Sequence, residues 1–214
     1  MIEDQRFQAV GYQRTVKLML RRVRILIVAL SVSLSWAPET FAQARDSSDS
    51  SEYLIKAGFI FNFAKFVEWP TSAFAQPDSP IVIGILGTDP FGTIIDQIVQ
   101  DKKIGARGFV VKRLKWGSDV KDLKDCKILF VSASEKAHMD ELLQIVKGLP
   151  VLTVGETPGF AERGGVIRFV LEDNRVRFEV NVEAAHQAEL TISSRLLTLA
   201  RIIQPPTVEL RKPG

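Results

Sequence analysis

The stretch Ile81-Val82-Ile83-Gly84-Ile85-Leu86-Gly87-Thr88-Asp89-Pro90-Phe91-Gly92 (IVIGILGTDPFG) decides the fold. Its unbroken apolar run predicts a strand buried on both faces, as strands of parallel sheets are. Gly87 permits the turn that follows, and Thr88 or Asp89 caps a helix over Phe91–Gln100 with Pro90 at its first position. Working outward, the alternation recurs. Phe109–Leu114 and Ile128–Val131 read as strands, and Glu135–Val146 as a helix whose apolar side is Leu142, Leu143, Ile145 and Val146. Val151–Val154 is another buried strand. Strands separated by helices pair in parallel, with helices over both faces.

After Gly164-Gly165 the pattern changes. Val166–Leu171 and Arg175–Val182 flank Glu172-Asp173-Asn174, and the second run alternates Val176, Phe178, Val180 and Val182 with Arg175, Arg177, Glu179 and Asn181. A period of two predicts one wet face, hence an antiparallel hairpin at the sheet edge. A last helix over about 183–203 closes the domain, and Pro205 and Pro206 cannot continue it. The expected fold is a three-layer α/β domain: a mixed, mostly parallel sheet flanked by helices, with an antiparallel C-terminal hairpin at its edge.

The N-terminal region sets the compartment. Leu20-Arg21-Arg22-Val23-Arg24 precedes the apolar run Ile25–Trp36 and then Thr40-Phe41-Ala42, the order of a secretory signal peptide. That run, 12 residues long, is well short of the roughly 20 that a spanning helix needs. Cleavage is expected after Ala42 or Ala44, and a start at Met19 gives a leader of more usual shape. The expected organisation is a signal peptide over 1–42, a polar linker over 43–51, the α/β domain over 52–203 and a Pro-containing tail over 204–214, in a periplasmic protein. Six of the 28 Lys+Arg and three of the 25 Asp+Glu fall in residues 1–42, leaving 22 of each sign beyond them. A neutral body lacks the positive excess on which phosphate-backbone binding depends, so nucleic acid is not an expected partner. The single cysteine, Cys126, excludes an internal disulfide and reads as a small core thiol.

Catalytic signatures are missing from the pattern. His138 and His186 lie on different predicted helices, with no acidic or cysteine ligand at metal-binding spacing. Ser193-Ser194 lies inside a predicted helix, without the strand–turn–helix elbow that exposes a nucleophile. The glycines at 84, 87 and 92 fit neither the dinucleotide spacing nor a phosphate loop. No catalytic, metal-binding or cofactor-binding residue is assigned, and a non-enzymatic protein is expected. One positional argument points to a ligand. If the strands ending at Leu86, Val131 and Val154 are parallel, Gly87, Thr88, Ser132, Ser134, Gly155 and Glu156 emerge at one sheet edge, where open α/β sheets bind ligands. A small polar ligand fits these residue types, and so does a plain capping role.

The helix over 52–68 carries two apolar stripes. Tyr53, Ala57, Ile60, Ala64 and Val67 fall within an arc of about 80°. Phe59, Phe63 and Phe66 cluster with Ile55 on roughly the other side. Such a helix is either sandwiched inside its own domain or covered by a partner or a second copy, with the phenylalanines as anchors.

Six blocks in order resemble the YfiR family of periplasmic regulators (YfiR/HmsC-like): EYLIKAGFIFNFAKFVEWP (52–70), ILGTDPFG (85–92), CKILFVSASE (126–135), PVLTVGETPGFAERGGVIRFV (150–170), RVRFEVNVEAA (175–185) and ISSRLLTLARII (192–203). The resemblance implies a regulator that restrains an inner-membrane diguanylate cyclase through its periplasmic sensor region, lowering cyclic di-GMP and biofilm growth. Some members carry cysteine pairs linked to redox response. Cys126 stands alone here, so that signal has no counterpart. A periplasmic small-molecule binder using the sheet-edge loops is the alternative.

Overall fold

The aliphatic runs form the centre of one sheet. The computed structural model describes residues 40–118 and 120–203, with side chains from residue 50 onward apart from residue 120. In chain order the elements are α1 (Thr40–Phe66), β1 (Val67–Glu68), a 3-10 turn (Thr71–Ala73), β2 (Ile81–Leu86), α2 (Ile94–Val99) and β3 (Phe109–Leu114). Then come α3 (Val120–Asp125), β4 (Ile128–Val131), a 3-10 segment (Ala133–His138), α4 (Met139–Val146) and β5 (Leu152–Gly155). Last are β6 (Ile167–Glu172), β7 (Arg175–Asn181), α5 (Val182–Gln187), β8 (Thr191–Ile192), α6 (Ser194–Leu197) and β9 (Arg201–Ile203).

Seven strands run in the order β3-β2-β4-β5-β6-β7-β9. All neighbours are parallel except the hairpin β6–β7. The direction of travel reverses between β2 and β4, and the covering helices change face there. One face carries Ile81, Ile83, Ile85, Ile128, Phe130 and Val154 under α1 and α2. The other carries Leu86, Leu129 and Val131 under α4, which contributes Met139, Leu142, Leu143 and Val146. This is the expected three-layer α/β architecture. Gly84 is required in mid-strand, because a Cβ there would lie 2.5 Å from Cys126 Sγ on the second face.

Several boundaries differ from the sequence reading. α1 begins at Thr40, so residues 43–51, expected as a polar linker, are helical backbone. Between Pro38 and Pro70 no proline interrupts the chain and the first glycine is Gly58, so nothing in that stretch stops a helix. The signal-peptide core and the tail over 204–214 lie outside the described residues. Helix α2 starts only at Ile94. Asp89 accepts a hydrogen bond from Phe91 N–H at 2.7 Å and organises a turn, not the helix cap.

The largest correction is at the C-terminus, where one helix was expected. α5 ends at Gln187 with Ala188 as its cap, Glu189 takes a positive φ of 55°, and Thr191-Ile192 pair antiparallel with Glu68-Val67. β-Branched residues after a left-handed turn favour extended backbone over a continued helix. Ser193 then accepts a hydrogen bond from Arg195 N–H and starts α6, so Ser193-Ser194 are capping residues. β9 pairs outside β7, so the hairpin lies one strand in from the edge. The expected wet face of β7 is also only half wet. Glu179 and Asn181 are buried, Glu179 between Arg168 and Arg201, and Asn181 donating to Ala161 O at 2.7 Å while capping α5.

The three phenylalanines of α1 turn inward. Phe63 is 0% exposed and packs against Phe169 at 5.8 Å and Phe178 at 5.2 Å. Phe59 is half-buried on Phe178 at 5.4 Å, and Phe66 is half-buried against the same core. The hairpin extends the sheet beneath that side of the helix, so Phe63 is internal and has no surface to offer a partner, while Ile55 stays exposed. Phe63→Ala is expected to destabilise the fold by about 3–5 kcal/mol, read as a lower urea midpoint with an unchanged slope.

Candidate functional site

At the carboxyl end of the sheet, parallel pairing of β2, β4 and β5 brings the loops after Leu86, Val131 and Val154 together, as expected. Gly87, Thr88, Ser132 and Ser134 meet where the sheet order reverses, the place where open α/β sheets bind ligands. Here the chain's own groups bond to one another across that edge. Thr88 N–H donates to Ser134 Oγ at 2.9 Å, and Ser134 Oγ donates to Glu135 Oε1 at 3.1 Å. Glu135 Oε2 lies 3.1 Å from His138 Nδ1, and the His138 ring stacks on Trp116 at 4.3 Å and 10°. Gly87 has φ of 92°, and a Cβ there would stand 2.4 Å from Ser134 Oγ and 2.6 Å from Glu135 Oε1. Ser132 caps the segment by accepting from Ser134 N–H. Ser132 and Glu135 are buried and find partners here, while Thr88 and Ser134 remain exposed.

Gly155 and Glu156 lie beside this crevice, but Glu156 turns to α1. Lys56 Nζ sits 2.6 Å from Glu156 Oε2 and 2.6 Å from Glu52 Oε1. Tyr53 donates its hydroxyl to Glu156 Oε2 at 3.2 Å, and the Lys56 ammonium lies 4.4 Å from the Tyr53 ring centroid. Lys56 is 5% exposed. A lysine this deep is tolerated only when paired, and it pins the helix to the loop after β5. This cluster was missed in the sequence reading, although a signal existed. At 100° per residue Lys56 falls between Ile60 and Phe63, inside the buried arc, and a lysine there requires a carboxylate.

Cys126 is buried beneath Gly84, and burial pushes its thiol up to about 11 against the opposing pull of Lys112 and Lys127. A thiol so held is a poor nucleophile and a poor redox sensor at neutral pH. Among the described residues no group of three or more His, Cys, Asp or Glu side chains is placed to hold a metal ion, and no helix is long and apolar enough to cross a membrane.

Comparison with known proteins adds one strong match. A family model described as YfiR/HmsC-like matches residues 53–201. None of the curated proteins compared with the chain matches it. Among solved structures, the ABC domain from Streptococcus pneumoniae in complex with L-Trp is 12% identical with a TM-score of 0.45, covering 57% of this chain and 55% of its own. A conserved domain protein from Vibrio cholerae is 10% identical with a TM-score of 0.44, covering 57% of this chain and 54% of its own. The chain thus spans little more than half the length of either.

The Cys126 geometry predicts an alkaline effect. Native Cys126 keeps a proton that the unfolded chain releases above its ordinary value of 9.0, so the native state binds more protons and stability falls as pH rises from 9.0 toward about 11. Denaturant titrations across that window should show Cys126→Ala with a shallower decline than the unaltered chain. Equal slopes would contradict the burial argument.

Proposed function

Because the chain belongs to the YfiR/HmsC-like family, we propose that it is an exported, non-enzymatic regulator that binds and restrains the periplasmic sensor region of an inner-membrane diguanylate cyclase. The family is one of periplasmic regulators of diguanylate cyclase signalling. The finer reading adds a leader over 1–42 removed at export, a direct contact with the cyclase, and lowered cyclic di-GMP and biofilm output. Such a regulator must hold the inactive state of its partner more tightly than the active one, since equal affinity shifts nothing.

The internal bonding at the edge between β2 and β4 supports surface binding over ligand capture. Thr88, Ser134, Glu135 and His138 bond to one another where a ligand of the alternative reading would sit. A network satisfied internally is rigid and offers shape. Gly87, Thr88, Ser132, Ser134, Gly155 and Glu156 therefore act as structural supports of that edge. Of the three phenylalanines first read as partner contacts, only Phe59 and Phe66 keep any open surface for that role.

In the source cell, deletion of the gene is expected to raise cyclic di-GMP, and supply of the exported chain to restore it. Crosslinking from the restored cells should recover a membrane cyclase, and N-terminal sequencing should begin at residue 43 or 45. Unchanged cyclic di-GMP on deletion would overturn the regulatory reading. Recovery of a retained residue 1–42 would overturn cleavage.

A further inference from the structure

We propose that the outer edge of β3 is a docking site that takes an acidic, extended segment of a partner protein as an added strand; the proposal rests on the reading above that this protein works by binding. β3 is the outermost strand on its side, paired only with β2. Ile81 N–H donates to Gly108 O and Gly87 N–H donates to Leu114 O. The even-numbered residues of β3 therefore face β2 in the parallel ladder, and the N–H and C=O groups of Phe109, Val111 and Arg113 turn outward. Among the described residues none of those three makes a backbone hydrogen bond on that side. Such a row templates pairing with another chain.

Edge strands are ordinarily defended by charged side chains directed across the edge. The two charges of β3 are bound elsewhere. Arg113 is held by Asp89, Asp96 and Gly92 O, and Lys112 lies 3.7 Å from Asp122 and 3.6 Å from Asp125. Phe109-Val110-Val111 carries no charge, and Val110 is 42% exposed. Beside this half of the strand runs a groove of about 440 Å³ whose lining includes Asp96, Asp101, Lys102, Lys103, Phe109 and Val111. An added strand would place alternate side chains there, which is how strand addition gains specificity.

Charge names the occupant. Asp96 is held by Arg113, and among the remaining groove charges the exposed Lys102 and Lys103 outnumber Asp101 and form no ion pair among the described residues, so a carboxylate on the incoming segment completes them. A second copy fits less well. It would bring the same unpaired Lys102 and Lys103 to the edge, with no surplus of carboxylates to meet them.

The probe is a short labelled peptide alternating valine and glutamate, compared with its valine–lysine counterpart by fluorescence anisotropy on the folded chain. The acidic peptide is expected to bind and the basic one to fail. Val111→Pro removes one outward N–H and no internal bond, as edge positions allow, and should weaken binding at least about tenfold. Lys102→Glu with Lys103→Glu, in an exposed loop, should do the same and admit the basic peptide; this pair decides the matter if Val111→Pro does not fold. Equal binding of both peptides, no binding, or binding unchanged by the paired charge reversal would overturn the proposal. Dimerisation of the unaltered chain that the paired charge reversal enhances would assign the edge to a second copy and overturn it too. A cyclase captured equally by the charge-reversed chain would reject the edge while leaving the regulatory reading intact. Peptide binding at β3 without any captured cyclase would support the edge and reject that reading.

Discussion

Phe63, wedged between Phe169 and Phe178, joins the two halves of this molecule. The parallel half, β3 to β6, could bury its faces under α1, α2 and α4 alone, but the antiparallel hairpin has few covering elements of its own. One helix serves both. Its small residues Ala57 and Ala64 let it lie close to the sheet, and its phenylalanines reach across to the hairpin. The interaction is apolar, extensive and non-directional, so its strength scales with the area removed from water. The buried Lys56 pair then fixes orientation, tying the same helix to the loop after β5.

At the usual ligand position of an open α/β sheet the chain's own side chains bond to one another. At the switch point Ser134 and Glu135 pack against Gly87, which has no room for a side chain, while Thr88 and Ser134 stay exposed. Burial of the Glu135 carboxylate is costly, and Ser134 and His138 offset it. What remains for function is surface: a rigid sheet whose two edges differ. The β9 edge is three residues long and latched by Arg201 to Glu179 and Glu172, whereas the β3 edge is six residues long with its apolar half undefended.

The parallel half was legible in the sequence because buried strands there are unbroken aliphatic runs, and because Gly87 could only be a turn. The C-terminal segment was not. Residues 183–203 contain alanines, leucines and a helical spacing of apolar residues, and the left-handed Glu189 together with the pairing of Thr191-Ile192 with Val67-Glu68, a contact distant in sequence, breaks the helix. Tertiary pairing overrides local propensity there. Period two likewise could not reveal that Glu179 and Asn181 are buried, since that depends on Arg168, Arg201 and the Ala161 carbonyl. At the site, the positions of the loops followed from strand direction alone, but whether they stood open or closed rested on side-chain contacts that spacing does not encode.

Amide hydrogen exchange of the chain, alone and then bound to inner membranes of its source cell, tests the central claim most directly. Function by surface fit predicts new protection at the outward amides of β3, Phe109 and Val111, with Thr88 and Ser134 unchanged. Protection appearing instead at Thr88 and Ser134, with β3 unaltered, would contradict it.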